Sequence, residues 1–241
     1  KPIFFMSKTL IFTATYNEKE NIKKLLENLN HLKIDIDILV IDDNSPDKTW
    51  EILQELEKNS KNLKVIVRKD KSGLDTAHKL AYQYAKDKGY QNFITMDADL
   101  SHDPDEIPIF LNKLKNNSFV IGSRYIKGGK CEMSGFRLIL SVLGNKLIKN
   151  VLGLNCNEFT TSYRGFNLSK LKNFDFNMIN SKGYSFFMET VYRLHLHNVK
   201  INEIPIKFRN RKQGKSKIPS IEIFRTLKNL FFLYFQNKFL K

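Results

Sequence analysis

Short, continuous apolar runs that alternate with amphipathic stretches dominate the first half of the sequence. Three of these runs are TLIFTA, IDILVIDD and LKVIVR, at residues 9–14, 36–43 and 63–68. A run that is apolar at nearly every position predicts a strand buried on both faces, as in a parallel sheet covered by helices. The stretches between the runs carry apolar residues at helical spacing, as at Ile22 and Leu26. We therefore predict an α/β fold with a mostly parallel sheet flanked by helices.

The remaining elements are predicted from the same patterns and from residues that start helices. Further strands are predicted at 92–97, 118–123 and 199–208. Further helices are predicted from Leu74 to Lys88, from Pro104 onward, across 135–152 and across the tail from Ser220 to Lys241. Asn17 and Ser45 are predicted to cap the first two helices, because their side chains accept hydrogen bonds from the first helical N–H groups.

The charge of the chain favours an anionic partner. Its 241 residues, enough for one large domain or two small ones, include 40 Lys and Arg against 25 Asp and Glu, a formal net charge of +15. This surplus suits a polyanion, an anionic membrane face or a phosphorylated substrate, although solvated surface lysines would also account for it. The alternative to an enzyme is a basic module that binds RNA or a membrane surface. It would leave acidic clusters at three strand ends unexplained and lacks the interleaved aromatic and basic residues of RRM-type domains, so we expect no nucleic acid partner.

Acidic residues follow three of the predicted strands. Tyr16–Glu18 comes after the first strand, Asp42–Asp43 after the second, and Asp97 and Asp99 after the fourth. In open α/β sheets ligands bind outside the carboxyl ends of the strands, so these groups are expected to lie together. Helix capping explains Ser45 but leaves Asp42–Asp43 unexplained. A carboxylate there can accept hydrogen bonds from a base or from ribose hydroxyls, which points to a nucleotide.

The stretch MDADLSHDP carries a candidate metal motif. Asp97 and Asp99 are spaced i, i+2, so on extended backbone their side chains share one side. Two converging carboxylates suit a hard cation such as Mg²⁺ or Mn²⁺, which can stabilise a diphosphate leaving group. The alternative is a strand-to-helix turn that is rich in Asp for capping, and Asp103 is predicted to cap the helix that begins at Pro104.

Five blocks, taken in order, resemble one known family. They are ATYNE at 14–18, VIDDNSPDKTWEI at 40–52, MDADLSHDPDEIP at 96–108, GSRYIKGG at 122–129 and EIPIKFRNRKQGKSKI at 203–218. Together they are similar to family 2 glycosyltransferases of GT-A fold, and within that family to the polyprenyl and dolichyl-phosphate mannosyltransferase branch. The resemblance spans roughly residues 8–220. It implies a catalytic GT-A domain over residues 1–218 and a C-terminal amphipathic helix over residues 219–241.

The resemblance also implies a donor site and its metal. The matching positions that hold the nucleotide sugar are Ala14, Tyr16, Glu18, Ile41, Asp43, Asp97, Ala98, Asp99, Arg124, Arg211 and Lys217. Asp97 and Asp99 match the metal and diphosphate motif, and they are the implied catalytic residues together with Arg124. Arg211 and Lys217 match a late basic pair near the donor, although a solvated charge run is the alternative for both.

An acceptor site is implied by a second group of residues. Arg137, Ser141 and Asn145 fall at i, i+4 and i+8, on one face of a helix that the family places near the acceptor phosphate. Glu158 matches an acidic position of a nearby block, NEFTTSYRGF. The alternative for the helical residues is the solvated face of an ordinary helix.

Four residues depart from the family pattern. Ala14 replaces the usual Pro, Asp75 stands where Gly is expected, Ser101 replaces a frequent Gln, and Glu158 replaces Asp. Asp75 falls in the loop over the donor and is therefore expected to alter that loop.

The resemblance implies an inverting transfer of a hexose, mannose from GDP-mannose, to polyprenyl phosphate. A phosphomonoester has a second pKa of about 6 and is largely ionised at neutral pH, so such an acceptor needs no catalytic base. His78 and His102 are accordingly interpreted as loop polar residues. The alternatives are a UDP-sugar donor, transferring glucose or GlcNAc, or a polysaccharide hydroxyl acceptor, for which Glu158 would be the first candidate base.

The C-terminal tail and the cysteines indicate a location. The aromatic stripe of the tail contains Phe224, Leu227, Phe231, Tyr234 and Phe235. Its longest apolar run, LFFLYF, is far shorter than the roughly 20 residues of a spanning helix. The tail is predicted to lie in a membrane interface, or alternatively to pack on the sheet. The two cysteines lack ligand spacing and predict reduced thiols, so we expect a cytoplasmic protein that is peripheral on the cytoplasmic face of a membrane.

Overall fold

The computed structural model describes residues 9–211 and 221–239. The strands of its main sheet are β1 (Thr9–Thr15), β2 (Asp37–Asp42), β3 (Leu63–Val67), β4 (Asn92–Thr95), β5 (Phe119–Ser123), β7 (Arg164–Asn167) and β8 (Asn202–Pro205). Two short strands, β6 (Lys130–Cys131) and β9 (Lys207–Phe208), form a separate parallel pair. The helices are α1 (Ile22–His31), α2 (Thr49–Lys58), α3 (Leu74–Asp87), α4 (Ile107–Leu114), α5 (Gly135–Leu152), α6 (Ser185–Leu196) and α7 (Ile221–Phe239).

The main sheet has seven strands in the order β3-β2-β1-β4-β7-β5-β8. Every neighbouring pair is parallel except those of β7, which runs antiparallel to both β4 and β5. Helices cover both faces, and each face has its own buried apolar cluster. The predicted α/β fold with a mostly parallel sheet is confirmed, and so is the C-terminal helix. The predicted helix boundaries hold within one residue for α3 and α5.

Two predicted helix caps are wrong. α1 begins at Ile22 rather than just after Asn17, whose φ of 57° places it in a turn. α2 begins at Thr49, because the Ser45 hydroxyl is turned back to donate to the Asp42 carboxylate at 2.6 Å. The N–H of Thr49 donates instead to Asp47 at 3.0 Å. The predicted cap at Asp103 is confirmed, since its carboxylate accepts from the N–H of Asp105.

The predicted strand at 199–208 is two strands in different sheets. β8 pairs with β5, whereas β9 pairs with β6, and the chain changes sheets at Ile206. The side chain of Ile206 is buried beside Gly122, where a Cβ would lie 2.7 Å from it. Only glycine at position 122 leaves room for this crossing.

The tail helix α7 packs through residues outside the predicted stripe. Leu230 and Leu233 are buried in the core cluster that contains α6. Phe224 and Phe231, both members of the predicted stripe, are 73% and 48% exposed. The interpretation that the stripe packs on the sheet is therefore wrong. Within residues 9–211 and 221–239, no helix has the length and apolar character needed to cross a membrane.

Candidate active site

The carboxyl ends of β1, β2 and β4 bring the predicted donor residues to one edge of the sheet. Arg211 links two of these ends, since its guanidinium lies 3.9 Å from Glu18 and 2.6 Å from Asp99. Glu18 and Asp99 are both buried. Acidic residues from two different strand ends thus meet around one cationic side chain, as the topology predicts.

Asp97 and Asp99 are held in place by different partners. The Ser162 hydroxyl donates to Oδ1 of Asp97 at 2.5 Å, and the side chain of Asp97 remains 40% exposed. Oδ1 of Asp99 accepts from both the N–H and the hydroxyl of Ser101, at 3.0 and 2.5 Å. Ser101 therefore fixes the carboxylate of Asp99, and its hydroxyl is engaged in that bond rather than available as a metal ligand.

The pKa values of the two aspartates move in opposite directions. Although part of the Asp97 side chain is exposed, desolvation by the surrounding protein raises the pKa of its carboxyl, and the neighbouring charge of Asp99 raises it further against the hydrogen bond from Ser162 and the charges of His102 and Arg211. Burial also acts to raise the pKa of Asp99, but the hydrogen bond from Ser101 and the charge of Arg211 outweigh it and lower that pKa. Asp99 is accordingly the more firmly ionised member of the pair.

His102 lies in the loop after β4, as interpreted from the sequence, but it is a buried residue that contacts the motif. The ring is buried, and its Nδ1 accepts from the N–H of Asp97 at 3.1 Å. Nε2 lies 3.2 Å from the hydroxyl of Thr161, so the proton of the neutral ring belongs on Nε2. His78 is also buried, within α3 and against Phe12, and burial lowers its pKa to about 3. His102 thus positions Asp97, while His78 is a core residue.

The donor set fits a divalent cation that is shared with a ligand. Among the described residues, no group of three or more His, Cys, Asp or Glu side chains could hold a metal alone. Asp97 and Asp99 therefore supply two carboxylates and leave other positions to be filled. Mg²⁺ is typically bound by one or two carboxylates together with substrate phosphates and water. The pair fits this mode of binding.

Next to Asp43, which is predicted to contact the nucleotide, lies a residue that the sequence interpretation missed. The guanidinium of Arg68, directly after β3, contacts the carboxylate of Asp43. It also donates to the carbonyl of Gly73 at 2.9 Å, and the N–H of Gly73 donates to Asp43 at 3.1 Å. Tyr16 lies nearby with the ammonium of Lys71 3.9 Å from its ring centre. Arg68 was identifiable, because it follows the third apolar run at the same edge of the sheet.

Asp42 does not face a ligand. It is fully buried, and it accepts hydrogen bonds from the hydroxyls of Thr15 and Ser45 at 2.7 and 2.6 Å. Asp42 thus joins the end of β1 to the loop after β2, whereas Asp43 faces Arg68.

Arg124 and Glu158 form a buried ion pair. Nε and Nη2 of Arg124 donate to the two carboxylate oxygens of Glu158, at 2.7 and 2.8 Å. Glu158 is 0% exposed, and its Oε1 also accepts from the N–H and hydroxyl of Thr160. Burial acts to raise the pKa of Glu158, but the charge of Arg124 outweighs it and lowers that pKa. Glu158 therefore holds Arg124 and is poorly placed to take a proton from a substrate.

Three of the four predicted acceptor residues, all except Glu158, lie on α5, and two of them make contacts near Arg124 and Glu158. Ser141 is 2.6 Å from the hydroxyl of Tyr125, the residue next to Arg124. Oδ1 of Asn145 accepts from the N–H of Phe159 at 2.7 Å, which anchors the loop that carries Glu158. Arg137 is exposed near the start of α5.

Three of the remaining predicted donor residues are buried or half-buried apolar residues. Ala14 is half-buried near the end of β1. Ile41 and Ala98 are buried apolar residues of the core, so only their backbone groups could contact a donor. Lys217 lies outside the described residues.

Comparison with known proteins gives a consistent assignment. Residues 10–174 match the model of Glycosyl transferase family 2. The chain is 32% identical over 219 residues to polyprenol monophosphomannose synthase of Mycolicibacterium smegmatis, a match that covers 90% of this chain and 83% of the relative. It is 33% identical over 212 residues to undecaprenyl-phosphate mannosyltransferase of Micrococcus luteus, covering 88% of this chain and 87% of the relative.

A solved structure supports the fold. A mannosyltransferase from Pyrobaculum calidifontis in complex with GDP-Man and Mn²⁺ has a TM-score of 0.59 and 15% sequence identity to this chain. The match covers 97% of this chain and 64% of that protein, so this chain spans less than two thirds of its length. The fold is thus shared with glycosyltransferases of GT-A type. From the family match and the identity to curated relatives, the chain belongs to glycosyl transferase family 2.

Proposed function

We propose that this protein transfers mannose from GDP-mannose to a polyprenyl phosphate, with inversion at the anomeric carbon. One curated relative is named polyprenol monophosphomannose synthase and another undecaprenyl-phosphate mannosyltransferase, and both align over most of the chain. A structural relative binds GDP-Man with Mn²⁺. These names point to mannose as the sugar and to a polyprenyl phosphate as the acceptor.

The burial of Glu158 and its pairing with Arg124 are the main support for a phosphate acceptor. A hydroxyl acceptor would require a carboxylate base, and Glu158 is buried with both oxygens engaged by Arg124. A phosphomonoester is already an anion at neutral pH and needs no base. Its oxygen would attack the anomeric carbon while the bond from that carbon to the donor diphosphate breaks, and the nucleoside diphosphate leaves. The work left to the protein is orientation and charge neutralisation.

The cationic residues of the site suit this task. Arg124 is held in a fixed orientation by Glu158 and Thr160, beside Ser141 of α5 through Tyr125. Arg211 contacts the motif at Asp99. Arginine can pair with phosphate oxygens in a bidentate manner, a mode that would be open to Arg211. Nε and Nη2 of Arg124 already donate to Glu158 and Thr160, so Arg124 would offer a phosphate its Nη1 group.

A divalent cation, Mg²⁺ or Mn²⁺, would be held by Asp97 and Asp99 together with the donor diphosphate. When bound, it would neutralise charge that develops on the leaving diphosphate. Ser162 and Ser101 would keep the two carboxylates oriented for that purpose, and His102 accepts from the backbone N–H of Asp97.

The outer faces of α5 and α7 support a membrane location for the acceptor. The two helices pack against each other. Their outer faces carry exposed apolar residues: Phe136, Ile139, Val142, Leu143, Phe224, Phe231, Phe232 and Phe235. An exposed apolar patch with nearby lysines, such as Lys146 and Lys228, suits a helix pair lying in an anionic membrane interface. We accordingly propose peripheral association with the cytoplasmic face of a membrane.

The test combines nucleotide binding with transfer. We expect calorimetry to show GDP binding that is enhanced by Mn²⁺ and is tighter than UDP binding. Transfer of labelled mannose from GDP-mannose to a polyprenyl phosphate in detergent should follow, and Asp99→Asn should lose both the metal effect and the transfer. Asp87→Asn, at the far end of α3, is the matched control and should behave as wild type. Preference for UDP, or transfer only to a hydroxyl acceptor, would contradict the proposal.

A further inference from the structure

Glu132 makes three hydrogen bonds to the backbone that leads into Arg211. Its N–H donates to the carbonyl of Phe208 at 2.9 Å. Its carbonyl accepts from Nδ2 of Asn210 at 2.9 Å, and its Oε2 accepts from the N–H of Asn210 at 2.8 Å. Asn210 directly precedes Arg211, so these bonds hold the backbone from which the Arg211 side chain projects. The sequence gave no sign of this contact, because 78 positions separate Glu132 from Asn210.

The same backbone is bonded on its other side to the loop of the metal motif. The N–H of Arg209 donates to the carbonyl of Ser101 at 2.9 Å. Ser101 in turn holds Oδ1 of Asp99 through its N–H and its hydroxyl. The guanidinium of Arg211 lies 2.6 Å from the second oxygen of that carboxylate, Oδ2. These four residues form a closed ring of contacts, so the position of the Arg211 backbone is tied to that of the metal motif.

Glu132 also lies next to the helix of the predicted acceptor residues. It directly follows β6, and α5 begins three residues later at Gly135. Phe208, whose carbonyl accepts from Glu132, has its ring centre 5.0 Å from Cζ of Arg124 and 5.5 Å from the ring centre of His102. The backbone that Glu132 binds therefore contacts the surroundings of both the metal motif and Arg124.

We propose that Glu132 is a positioning residue that places the Arg211 guanidinium for the donor diphosphate. This inference rests on the proposed function, in which Arg211 pairs with phosphate oxygens. The guanidinium already lies at Asp99, one of the two proposed metal ligands. A long side chain binds a ligand more tightly when its backbone is held in advance, because less conformational freedom is then lost on binding. The bonds between Glu132 and Asn210 supply this constraint.

Removal of the Glu132 carboxylate should shift two affinities in opposite directions. Glu132→Ala is expected to weaken GDP binding at saturating Mn²⁺ about fivefold, the effect of losing one hydrogen bond that constrains a binding residue. Mn²⁺ alone should bind about two- to threefold more tightly, because a less constrained Arg211 competes less often for the Asp99 oxygen. Calorimetry measures both affinities. A general loss of structure would weaken both instead.

Three further variants test whether the hydrogen bonds are responsible. Glu132→Gln keeps an oxygen that accepts from the N–H of Asn210, and it should restore the GDP affinity to within about twofold of wild type. Asn210→Ala removes the bond from Nδ2 to the Glu132 carbonyl and should resemble Glu132→Ala. Glu27→Ala is the matched control, because it removes an exposed carboxylate of α1 that pairs with Lys24, and it should leave both affinities unchanged.

A double variant tests whether Glu132 acts through Arg211. In the Arg211→Gln background, Glu132→Ala should change the GDP affinity less than about twofold, because the effects of residues that act as a unit are not additive. Thermal melts of the wild type, the two single variants and the double variant measure any loss of stability separately.

The outcomes distinguish this inference from the proposed function. An unchanged GDP affinity in Glu132→Ala, or additive losses in the double variant, would overturn the positioning role. A lower melting temperature with both affinities weakened would also overturn it and would assign Glu132 a structural role only. If the wild-type protein binds UDP in place of GDP, the proposed donor is wrong, and the same comparisons made with UDP still decide the role of Glu132.

Discussion

Nη2 of Arg211 lies 2.6 Å from Oδ2 of Asp99, so a protein cation contacts one of the two carboxylates that we propose as metal ligands. The other oxygen of Asp99 is taken by Ser101. A divalent ion at Asp99 and the guanidinium of Arg211 therefore compete for the same oxygen. Arg211 would be released toward the donor phosphates when the ion binds.

This competition predicts that Arg211→Gln tightens Mn²⁺ binding in the absence of nucleotide. We expect a gain of about five- to tenfold, because a partly buried charge-assisted pair contributes about 1–1.5 kcal/mol. Calorimetry or Mn²⁺ electron paramagnetic resonance measures the affinity. Arg209→Gln is the matched control, since it removes the same charge from a side chain that contacts Asp103 instead. Equal effects of both variants would show that net charge is responsible and would contradict the pairing argument.

Breaking the buried pair of Arg124 and Glu158 should destabilise the protein strongly. Glu158→Ala leaves the guanidinium buried without its partner, and we expect a loss of about 3–5 kcal/mol in the free energy of unfolding. Urea denaturation measures this change. Glu51→Ala, which removes an exposed partner of Lys48, should cost less than about 1 kcal/mol. A loss below 1 kcal/mol for Glu158→Ala would show that the pair is not an essential part of the fold.

The stability of the protein should depend on pH through Glu106. Burial raises the pKa of Glu106 to about 7, and the negative charge of Asp103 adds to this shift. The hydrogen bond from the Lys207 N–H and the charges of Lys207 and Arg209 lower the pKa but do not cancel the shift. Its Oε1 accepts from the N–H of Lys207 at 2.7 Å, and its buried Oε2 has no hydrogen-bond partner among the described residues. The folded state therefore holds a proton that the unfolded chain, with a pKa of 4.5, has already released.

The sign of this effect is defined by the raised pKa. The stabilisation that Glu106 contributes to the free energy of unfolding is fully present below pH 4.5 and is lost as pH rises toward about 7. Glu106→Gln keeps an acceptor for Lys207 and should stabilise the protein at pH 8 by up to about 3 kcal/mol, with little effect near pH 4.5. Thermal melts of both proteins across this range measure the difference. A stabilisation that does not vary with pH would contradict the assignment.

The parallel part of the sheet is predictable from the sequence because its strands are continuous apolar runs. β7 is not, since it is four residues long and begins with a buried arginine. The guanidinium of Arg164 is satisfied by the carbonyls of Phe159, Thr161 and Phe187, at 2.8–2.9 Å. Contacts of this kind depend on tertiary structure, so local patterns do not indicate the strand that separates β4 from β5.

The carboxylates of the candidate site were predictable from the sequence, whereas most of the side chains that hydrogen-bond to them were not. Asp97 and Asp99 stand out because two carboxylates follow one apolar run. Ser162, whose hydroxyl positions the Asp97 carboxylate, lies 65 positions after Asp97. Local spacing in the sequence gives no signal for such a pair. The cap at Asn17 failed for a related reason, since its side chain accepts from the N–H of Asp47, 30 positions away. The cap at Ser45 failed for a local reason, since its hydroxyl donates to Asp42, three residues before it.

Two neighbouring residues of α7 should separate membrane binding from folding. Phe232 is 63% exposed, whereas Leu230 is 1% exposed and packs in the core. Phe232→Ser is expected to weaken binding to vesicles that contain anionic lipid about tenfold while leaving the melting temperature unchanged, because it removes apolar area only from the outer face. Leu230→Ala should instead cost about 2–5 kcal/mol of stability. Vesicle co-sedimentation and thermal melts measure the two effects, and undiminished vesicle binding by Phe232→Ser would show that this face does not meet the membrane.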